Sequence, residues 1–222
     1  AAEVVASPQE AGKPVPAHQL AFLASPAVWL CFAFFFLTTS AFGILQNFAP
    51  AILGNVYGVS LVIATAGLTA YLAGSAAGTI AGGFLATRSE HSERTFAIAL
   101  GFAAAMALLL ASGWVSSSLL LPLMAIMGFG VGTAGPSRDL LVRRAATSQF
   151  GKASFGRVYG FVYSGLDTGL ALSPLLFGPL LDAGRFSAAL MAVAVLQTAS
   201  LLTAMRVGVT ARAKAVPREV RA

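Results

Sequence analysis

One carboxylate stands alone in a long apolar stretch of this chain. Asp167 is the only charged residue between Arg157 and Asp182. On a helix it would lie about 15 Å beyond Arg157, near the centre of a bilayer. A carboxylate at that depth is costly unless it is paired, hydrated or protonated. Asp167 is therefore a candidate for proton or cation coupling, or for contact with a cationic solute. The alternative is a structural hydrogen bond to a neighbouring helix.

Other polar side chains could share a site with this carboxylate. Tyr163 and Ser164 fall on the helical face of Asp167, whereas Gly165 and Gly169 fall on the opposite face, which is shaped for close packing. The first apolar run of the chain adds four more candidates for a solute or coupling-ion site: Thr38, Thr39, Gln46 and Asn47. Each of these could equally satisfy a hydrogen bond between helices.

Enzyme chemistry has little support in the sequence. The two histidines, His18 and His91, lie outside the apolar runs, and Cys31 is the single cysteine. A Ser–His pair within the membrane and a cysteine-based metal site are therefore excluded. We expect neither enzyme activity nor a metal or cofactor.

The elements that must position these residues are membrane helices. The chain of 222 residues is 57% apolar and 10% charged, whereas soluble domains are about 25% charged. No Asp, Glu, Lys or Arg occurs in residues 14–87, 95–137 or 186–205. Since a spanning helix needs about 20 apolar residues, the turn signals divide the runs into six spans: 28–47, closed by Phe48-Ala49-Pro50, 59–86, 95–115, 119–135, stopped by Pro136, 158–181 and 186–205.

The basic residues indicate the orientation of these spans. Of the 14 Lys and Arg residues, all but Arg185 fall on the side that would hold both chain ends. The positive-inside rule makes that side cytoplasmic. The net charge of +6 is thereby explained by topology, and no aromatic residues interleave with the basic ones as a nucleic-acid platform requires. We expect no nucleic-acid partner.

Small residues distinguish two of the spans. In the second span they form one helical stripe, and the fourth span repeats the pattern. Such stripes allow close approach of helix backbones. The stripe residues are Gly67, Ala70, Gly74, Gly78 and Ala81 in the second span, and Gly128, Gly132 and Gly135 in the fourth.

A family resemblance appears in the loop after the second span. Residues 83–88 read Gly-Phe-Leu-Ala-Thr-Arg, which resembles the Gly-x-Leu-Ala-Asp-Arg signature loop of the major facilitator superfamily, with Arg94 as the later basic residue. Gly83 and Arg88 match the pattern, and Thr87 departs from it. The stretches 135–139, 156–161, 165–167 and 173–178 extend the resemblance to about residues 27–206. The ensemble is similar to bacterial drug-efflux members related to fosmidomycin resistance proteins.

The resemblance implies an all-α membrane protein whose six transmembrane helices form two three-helix repeats, as in one half of a facilitator. Such transporters join two six-helix halves around a solute site. The first and fourth spans would line the cavity, the second and fifth would meet the other half, where small residues are useful, and the third and sixth would face lipid. The motif at the end of the fourth span adds gate candidates: Arg138, Asp139 and Arg143. Asp139 and Arg143, like Glu90 and Arg94, have the spacing of a helical ion pair, and an ordinary solvated pair is the alternative.

The predicted organisation has three parts. Residues 1–26 are rich in proline and read as a cytoplasmic linker, residues 27–206 as the six-helix transmembrane domain, and residues 207–222 as a basic cytoplasmic tail. Residue 1 is Ala rather than Met. We expect the C-terminal half of a longer polypeptide, whose partner is the N-terminal six-helix half. The alternative is a natural half-size protein that pairs with a second copy.

The predicted function is secondary active transport of a small organic solute. Proton-coupled efflux of a drug or metabolite across the bacterial inner membrane is the preferred version. The alternatives are an uptake permease for a small metabolite, such as an organic anion, and a membrane scaffold that does not transport.

Overall fold

The computed structural model describes the backbone of residues 22–88 and 92–215, and the side chains of 22–26, 28–87, 94–136, 139–140 and 156–206. Within these ranges every long element is an α-helix. The order is α1 (Pro26–Tyr57), α2 (Leu61–Arg88), α3 (Ser92–Ala111), a short 3-10 turn (Ser117–Leu119), α4 (Leu120–Asp182) and α5 (Phe186–Ala215). The predicted linker falls almost wholly outside the described residues, as does the end of the predicted basic tail.

Helix α1 corrects one predicted boundary. The closure predicted at Phe48-Ala49-Pro50 is wrong, because the helix continues through Pro50 to Tyr57. A proline removes a single backbone donor, whereas stopping the helix in an apolar setting would leave several backbone groups unsatisfied. The helix ends instead where Gly58 adopts a left-handed conformation with φ of 63°, as glycine commonly does at a helix C-terminus.

Helix α4 corrects a second boundary. Pro136 does not stop the fourth span, because helical backbone continues through it to Asp182, over 63 residues. The helix nevertheless folds back on itself, since Gly135 and Leu166 line the same cavity. A straight helix would separate them by about 46 Å. We therefore treat α4 as two packed segments, α4N (residues 120–136) and α4C (residues 156–182), joined by a bent helical connection.

The packing pairs α2 with α4N and α1 with α4C. A methyl group at Gly74 or Gly78 of α2 would overlap main-chain atoms of Ala125 or Phe129 in α4N. In the same way Gly165 and Gly169 of α4C lie against main-chain atoms of α1, at Phe32 and Phe36. Residue numbers rise together in both pairs, so the paired segments run parallel.

This pairing contains an internal repeat. The units α1–α2–α3 and α4N–α4C–α5 make equivalent contacts. Helix α2 packs on α4N as α4C packs on α1, and α1 packs on α5 as α4N packs on α3. Helices α3 and α5, which are equivalent to each other, also pack together. The predicted fold, six packed helical segments in two three-helix repeats, is confirmed.

The core consists of two clusters of buried side chains. The larger includes Ile44 of α1, Tyr71 of α2 and Met124 of α4N, and it also takes in buried residues of α3 and α5. The smaller lies between α1, α3 and α4C, where the rings of Phe34 and Phe96 meet edge to face at 5.2 Å. Together the clusters fix α1 at the centre of the fold.

In the described part of the chain, five segments are long and apolar enough to cross a membrane: Val28–Tyr57, Leu61–Thr87, Arg94–Ala111, Ser117–Pro136 and Phe186–Arg206. The predicted fifth span, residues 158–181, is not among them, and it forms most of α4C. The apolar window of α2 is 22% buried, against 33% for α3 and 39% for α5. A smaller share of α2 is therefore buried than of the two helices predicted to face lipid.

Candidate functional site

A cavity of about 240 Å³ lies where four helical segments meet. Helix α1 contributes Thr38, Thr39 and Phe42, and α2 contributes Ser75 and Thr79. The remaining lining comes from the two parts of α4: Val131, Gly132, Gly135, Leu166 and Leu170. The cavity thus draws on both three-helix repeats, and the described part of its lining holds hydroxyl groups and apolar groups with no charged side chain.

Glycines bring the walls of the cavity together. Gly132 lies against main-chain atoms of Ser75, and Gly128 lies one turn earlier against those of Tyr71. Because neither glycine carries a side chain, α2 and α4N approach closely enough to place Ser75 and Val131 on one surface. The predicted close packing is confirmed at Gly74, Gly78, Gly128, Gly132, Gly165 and Gly169.

Two expectations about the small residues are wrong. Gly135 has nothing within 4 Å of the position a side chain would take, because it borders the cavity. The glycines of α2 face α4N of the same chain, and Gly82, which the predicted stripe omitted, continues the row against Thr133. They are therefore not on the exposed face of α2, which carries Leu, Val, Ile, Phe, Ala and Thr.

The threonine hydroxyls of the cavity share one hydrogen-bond pattern. Thr38 Oγ1 donates to the carbonyl oxygen of Phe34 at 2.9 Å, and Thr39 Oγ1 to that of Phe35 at 2.8 Å. Thr79 Oγ1 donates to the carbonyl oxygen of Ser75 at 2.9 Å. A hydroxyl has one donor and two acceptor lone pairs. These three groups therefore keep only their acceptor capacity for a bound solute.

Asp167 is exposed on α4C. It follows Leu166, which lines the cavity, and it lies on the side of the helix opposite Gly165 and Gly169, which pack on α1. Among the described residues no hydrogen bond or ion pair reaches its carboxylate. The structural alternative, a hydrogen bond to a neighbouring helix, therefore finds no support within the described part of the chain.

Tyr163 and Ser164, predicted beside Asp167, do not line the cavity. The Tyr163 ring packs on Phe35 of α1 at 4.8 Å, and its hydroxyl accepts a hydrogen bond of 2.6 Å from Tyr159. Ser164 Oγ donates to the carbonyl oxygen of Phe161 at 2.7 Å. Both side chains are thus engaged within the helix pair.

The polar candidates of α1 divide into two groups. Thr38 and Thr39 are in the cavity lining, whereas Gln46 and Asn47 are exposed outside it. Asn47 Nδ2 donates to the carbonyl oxygen of Gly43 at 2.8 Å. The structure therefore brings only the two threonines together with the cavity.

The loop and gate candidates lie mainly outside the described side chains. Gly83 is half-buried with open space beside it, and Arg94 is exposed. Asp139 is half-buried and has an interaction partner. The side chains that fall outside the described residues are those of Arg88, Glu90, Arg138 and Arg143, so both predicted ion pairs remain predictions.

Sequence reasoning missed several cavity residues. Ser75 was not singled out, and neither were Phe42, Leu166 and Leu170. Their spacing is ordinary for membrane helices, so no sequence signal distinguishes them. The nearest signal is the glycine row itself, since Ser75 and Thr79 directly follow two of its members, Gly74 and Gly78.

Comparison with known protein families matches residues 2–154 to the Major Facilitator Superfamily. No curated protein and no solved structure gave a significant match. The matched range contains the cavity residues of α1, α2 and α4N but ends before Tyr163, Ser164 and Asp167. Members of this superfamily move small solutes across membranes and are not enzymes. The chain belongs to the Major Facilitator Superfamily and is a multi-pass membrane protein of that transporter class.

Proposed function

We propose that the protein is a proton-coupled exporter of a small organic drug or metabolite, with its solute site at the four-segment cavity and Asp167 as the coupling carboxylate. The observation that carries this proposal is the position of Asp167. It is exposed, unpaired among the described residues, and next in sequence to a residue of the cavity lining.

A coupling carboxylate must exchange its proton with water or with a solute. An ionisable residue within a membrane segment marks such a pathway by default. A carboxylate locked in an ion pair could not exchange freely, whereas one without a described partner is available for exchange. Its place beside Leu166 would let a solute in the cavity and a proton on Asp167 influence each other.

The uncovered apolar faces support a partner for this unit. Leu61, Val62, Ile80 and Phe84 of α2 are each more than 60% exposed, and so is Leu175 of α4C. We propose that these faces meet an N-terminal six-helix half, with a second copy of the chain as the alternative. Contacts of this kind would complete the cavity on its open side.

The directions of the helices support the proposed topology. Since α1 and α4C run parallel, and α2 and α4N run oppositely to them, Arg94 and Arg157 fall at the same end as the start of α1. Arg206 falls at that end too, and Arg185 at the other. By the positive-inside rule this charge distribution favours a cytoplasmic location for both ends of the unit, and we propose a bacterial inner membrane as its site.

The test uses the complete protein in liposomes with an imposed proton gradient. The probes are ethidium, benzamidine and benzoate, and the fluorescence of trapped pyranine reports proton movement. We expect wild-type protein to move at least one probe with protons. Asp167→Asn should reduce that movement to the level of protein-free liposomes.

The matched control is Asp182→Asn, which changes an exposed Asp at the end of the same helix. It should retain gradient-driven transport. Equal transport by Asp167→Asn and wild type across a pH series would remove the coupling role. Movement of none of the three probes, by a protein that inserts stably, would instead favour the scaffold reading.

A further inference from the structure

The hydrogen-bond polarity of the cavity is one-sided. Thr38, Thr39 and Thr79 each use their only hydroxyl donor on a main-chain carbonyl of their own helix. What they present to a solute is oxygen lone pairs. A solute that brings N–H or O–H donors would meet three acceptors. A solute that brings only acceptors would have to break the bond from each threonine hydroxyl to its main-chain carbonyl.

Ser75 is the exception in the lining. Among the described residues its hydroxyl makes no hydrogen bond, so it can donate to a solute or accept from one. A single neutral hydroxyl does not satisfy a carboxylate or phosphate, whose several acceptor sites call for charged or multiple donors. This residue therefore adds tolerance for one acceptor on the solute without making the cavity an anion site.

The charges of the described side chains point the same way. The lining holds no cation, and the charged residue next to it in sequence is Asp167. Arg157, the cation that precedes Asp167 on α4C, lies about 15 Å away along the helix. An anion in the cavity would thus lack a described counter-charge there, whereas a cation would have a carboxylate nearby.

The apolar part of the lining sets shape. Phe42, Leu166 and Leu170 face the space between the hydroxyl-bearing turns. Its volume of about 240 Å³ is below the usual range for drug-sized ligands. It can hold one small ring with its polar substituents.

We propose that the cavity binds small, ring-sized solutes rich in hydrogen-bond donors, cationic or neutral, and discriminates against carboxylates and phosphates. This substrate class rests on the proposed function, since it assigns the solute of the same site. Organic anions, the class predicted for an uptake permease, should therefore not bind in the cavity.

The test compares two compounds of the same shape. Benzamidine is a cation with N–H donors, and benzoate is an anion with acceptors only; each carries a planar group on one benzene ring. Binding to the complete purified protein is measured by calorimetry and by the shift in thermal unfolding. We expect benzamidine to bind and benzoate not to bind under the same conditions.

Two substitutions ask whether the threonine oxygens are the acceptors. Thr39→Val and Thr79→Val keep side-chain volume but remove the oxygen, and each should weaken benzamidine binding about fivefold. Thr203→Val is the matched control. Its Oγ1 makes the same kind of bond, to the carbonyl oxygen of Ala199 at 2.8 Å, and it is outside the lining. Binding by this variant should equal that of wild type.

Three results would overturn the inference: benzoate binding as tightly as benzamidine, no binding of benzamidine, or equal effects of Thr203→Val and the two cavity variants. The liposome assay separates this inference from the proposed function. Proton-coupled movement of benzoate that depends on Asp167 would retain the transporter and reject the substrate class. Threonine-dependent binding of benzamidine, without movement of any probe, would retain the class and reject transport.

Discussion

The hydroxyl of Ser40 donates a hydrogen bond of 3.4 Å to the carbonyl oxygen of Gly169. The bond joins α1 to α4C across 129 residues. It forms where Gly169 also meets the main chain of Phe36, so the close approach and the hydrogen bond depend on one small residue. In the second pair, Gly82 of α2 lies against main-chain atoms of Thr133. The two repeats thus use small residues at the corresponding contacts.

Replacing a contact glycine should destabilise the protein. The added methyl group of Gly78→Ala would overlap the main chain of Phe129, and that of Gly169→Ala would overlap Phe36. Overpacking of this kind costs about 1–3 kcal/mol, and main-chain atoms cannot move aside as a flexible side chain can. Thermal unfolding of the complete protein in detergent measures the loss.

Gly83→Ala is the control for both glycine variants. Gly83 is also helical, and nothing lies within 4 Å of its added methyl group. Because alanine favours helix over glycine by up to about 1 kcal/mol, this variant should be as stable as wild type or more so. Equal losses at Gly78 and Gly83 would contradict the packing explanation.

Removing the charge of Asp167 should leave stability unchanged. The side chain is exposed and makes no hydrogen bond or ion pair within the described residues. Because no described group depends on its carboxylate, the substitution leaves no partner with an unsatisfied hydrogen bond. Asp167→Asn should therefore insert and unfold like wild type, so that its loss of transport reports on coupling. A large drop in thermal stability would indicate a structural partner for Asp167.

The fully buried Tyr71 and the half-buried Tyr57 should respond oppositely to loss of their hydroxyl groups. Tyr71 is fully buried, and its hydroxyl lacks a hydrogen-bond partner among the described residues. Tyr71→Phe should therefore be neutral or stabilising, by up to about 1–3 kcal/mol. Tyr57→Phe removes the bond of 2.7 Å to the carbonyl oxygen of Leu110 and should cost about 1 kcal/mol. A larger loss of thermal stability in Tyr71→Phe than in Tyr57→Phe would count against the assigned hydrogen bonds.

The gate candidate Asp139 makes a separate prediction. It is half-buried and has a partner, whereas Asp182 is exposed at the far end of α4. If Asp139 holds a cytoplasmic gate through neighbouring arginines, Asp139→Lys should lower probe transport several-fold, because the new charge repels them. Asp182→Lys should have no such effect in the same liposome assay. Unchanged transport by Asp139→Lys would indicate that Asp139 makes an ordinary surface contact and holds no gate.

Labelling can establish the orientation. Trp114 is 93% exposed in the loop after α3, at the end opposite Arg94. The single native cysteine, Cys31, is buried and should contribute little background. A membrane-impermeant maleimide should label Trp114→Cys in intact cells and Arg94→Cys only in permeabilised ones. The reverse pattern would overturn the assignment of cytoplasmic ends.

The apolar runs predicted most of the fold because spanning helices are specified locally, by length and composition. The helix ends predicted at Pro50 and Pro136 are wrong, because the cost of ending a helix depends on whether water can replace the lost hydrogen bonds. The glycine faces of α4C and α2 were predictable from helical spacing, although their partner segments were not.

The cavity itself could be predicted only in part. Thr38 and Thr39 were candidates by type, yet Ser75 and Leu166 enter the lining through the register of α2 on α4N and of α1 on α4C. That register is set by main-chain contacts at glycines, which the sequence does not pair. Gln46 and Asn47 show the converse, since these polar residues, about two turns further along the same helix, fall outside the lining.

The glycine contacts also determine how the cavity can change width. Three successive turns of α2, at Gly74, Gly78 and Gly82, lie directly on the main chain of α4N, and α4C lies on α1 in the same manner. The two helices of each pair therefore have little freedom to slide along each other. The cavity lies between the α2–α4N pair and the α1–α4C pair. We therefore expect any change in its width to come from a tilt of one helix pair against the other, with the glycine contacts kept.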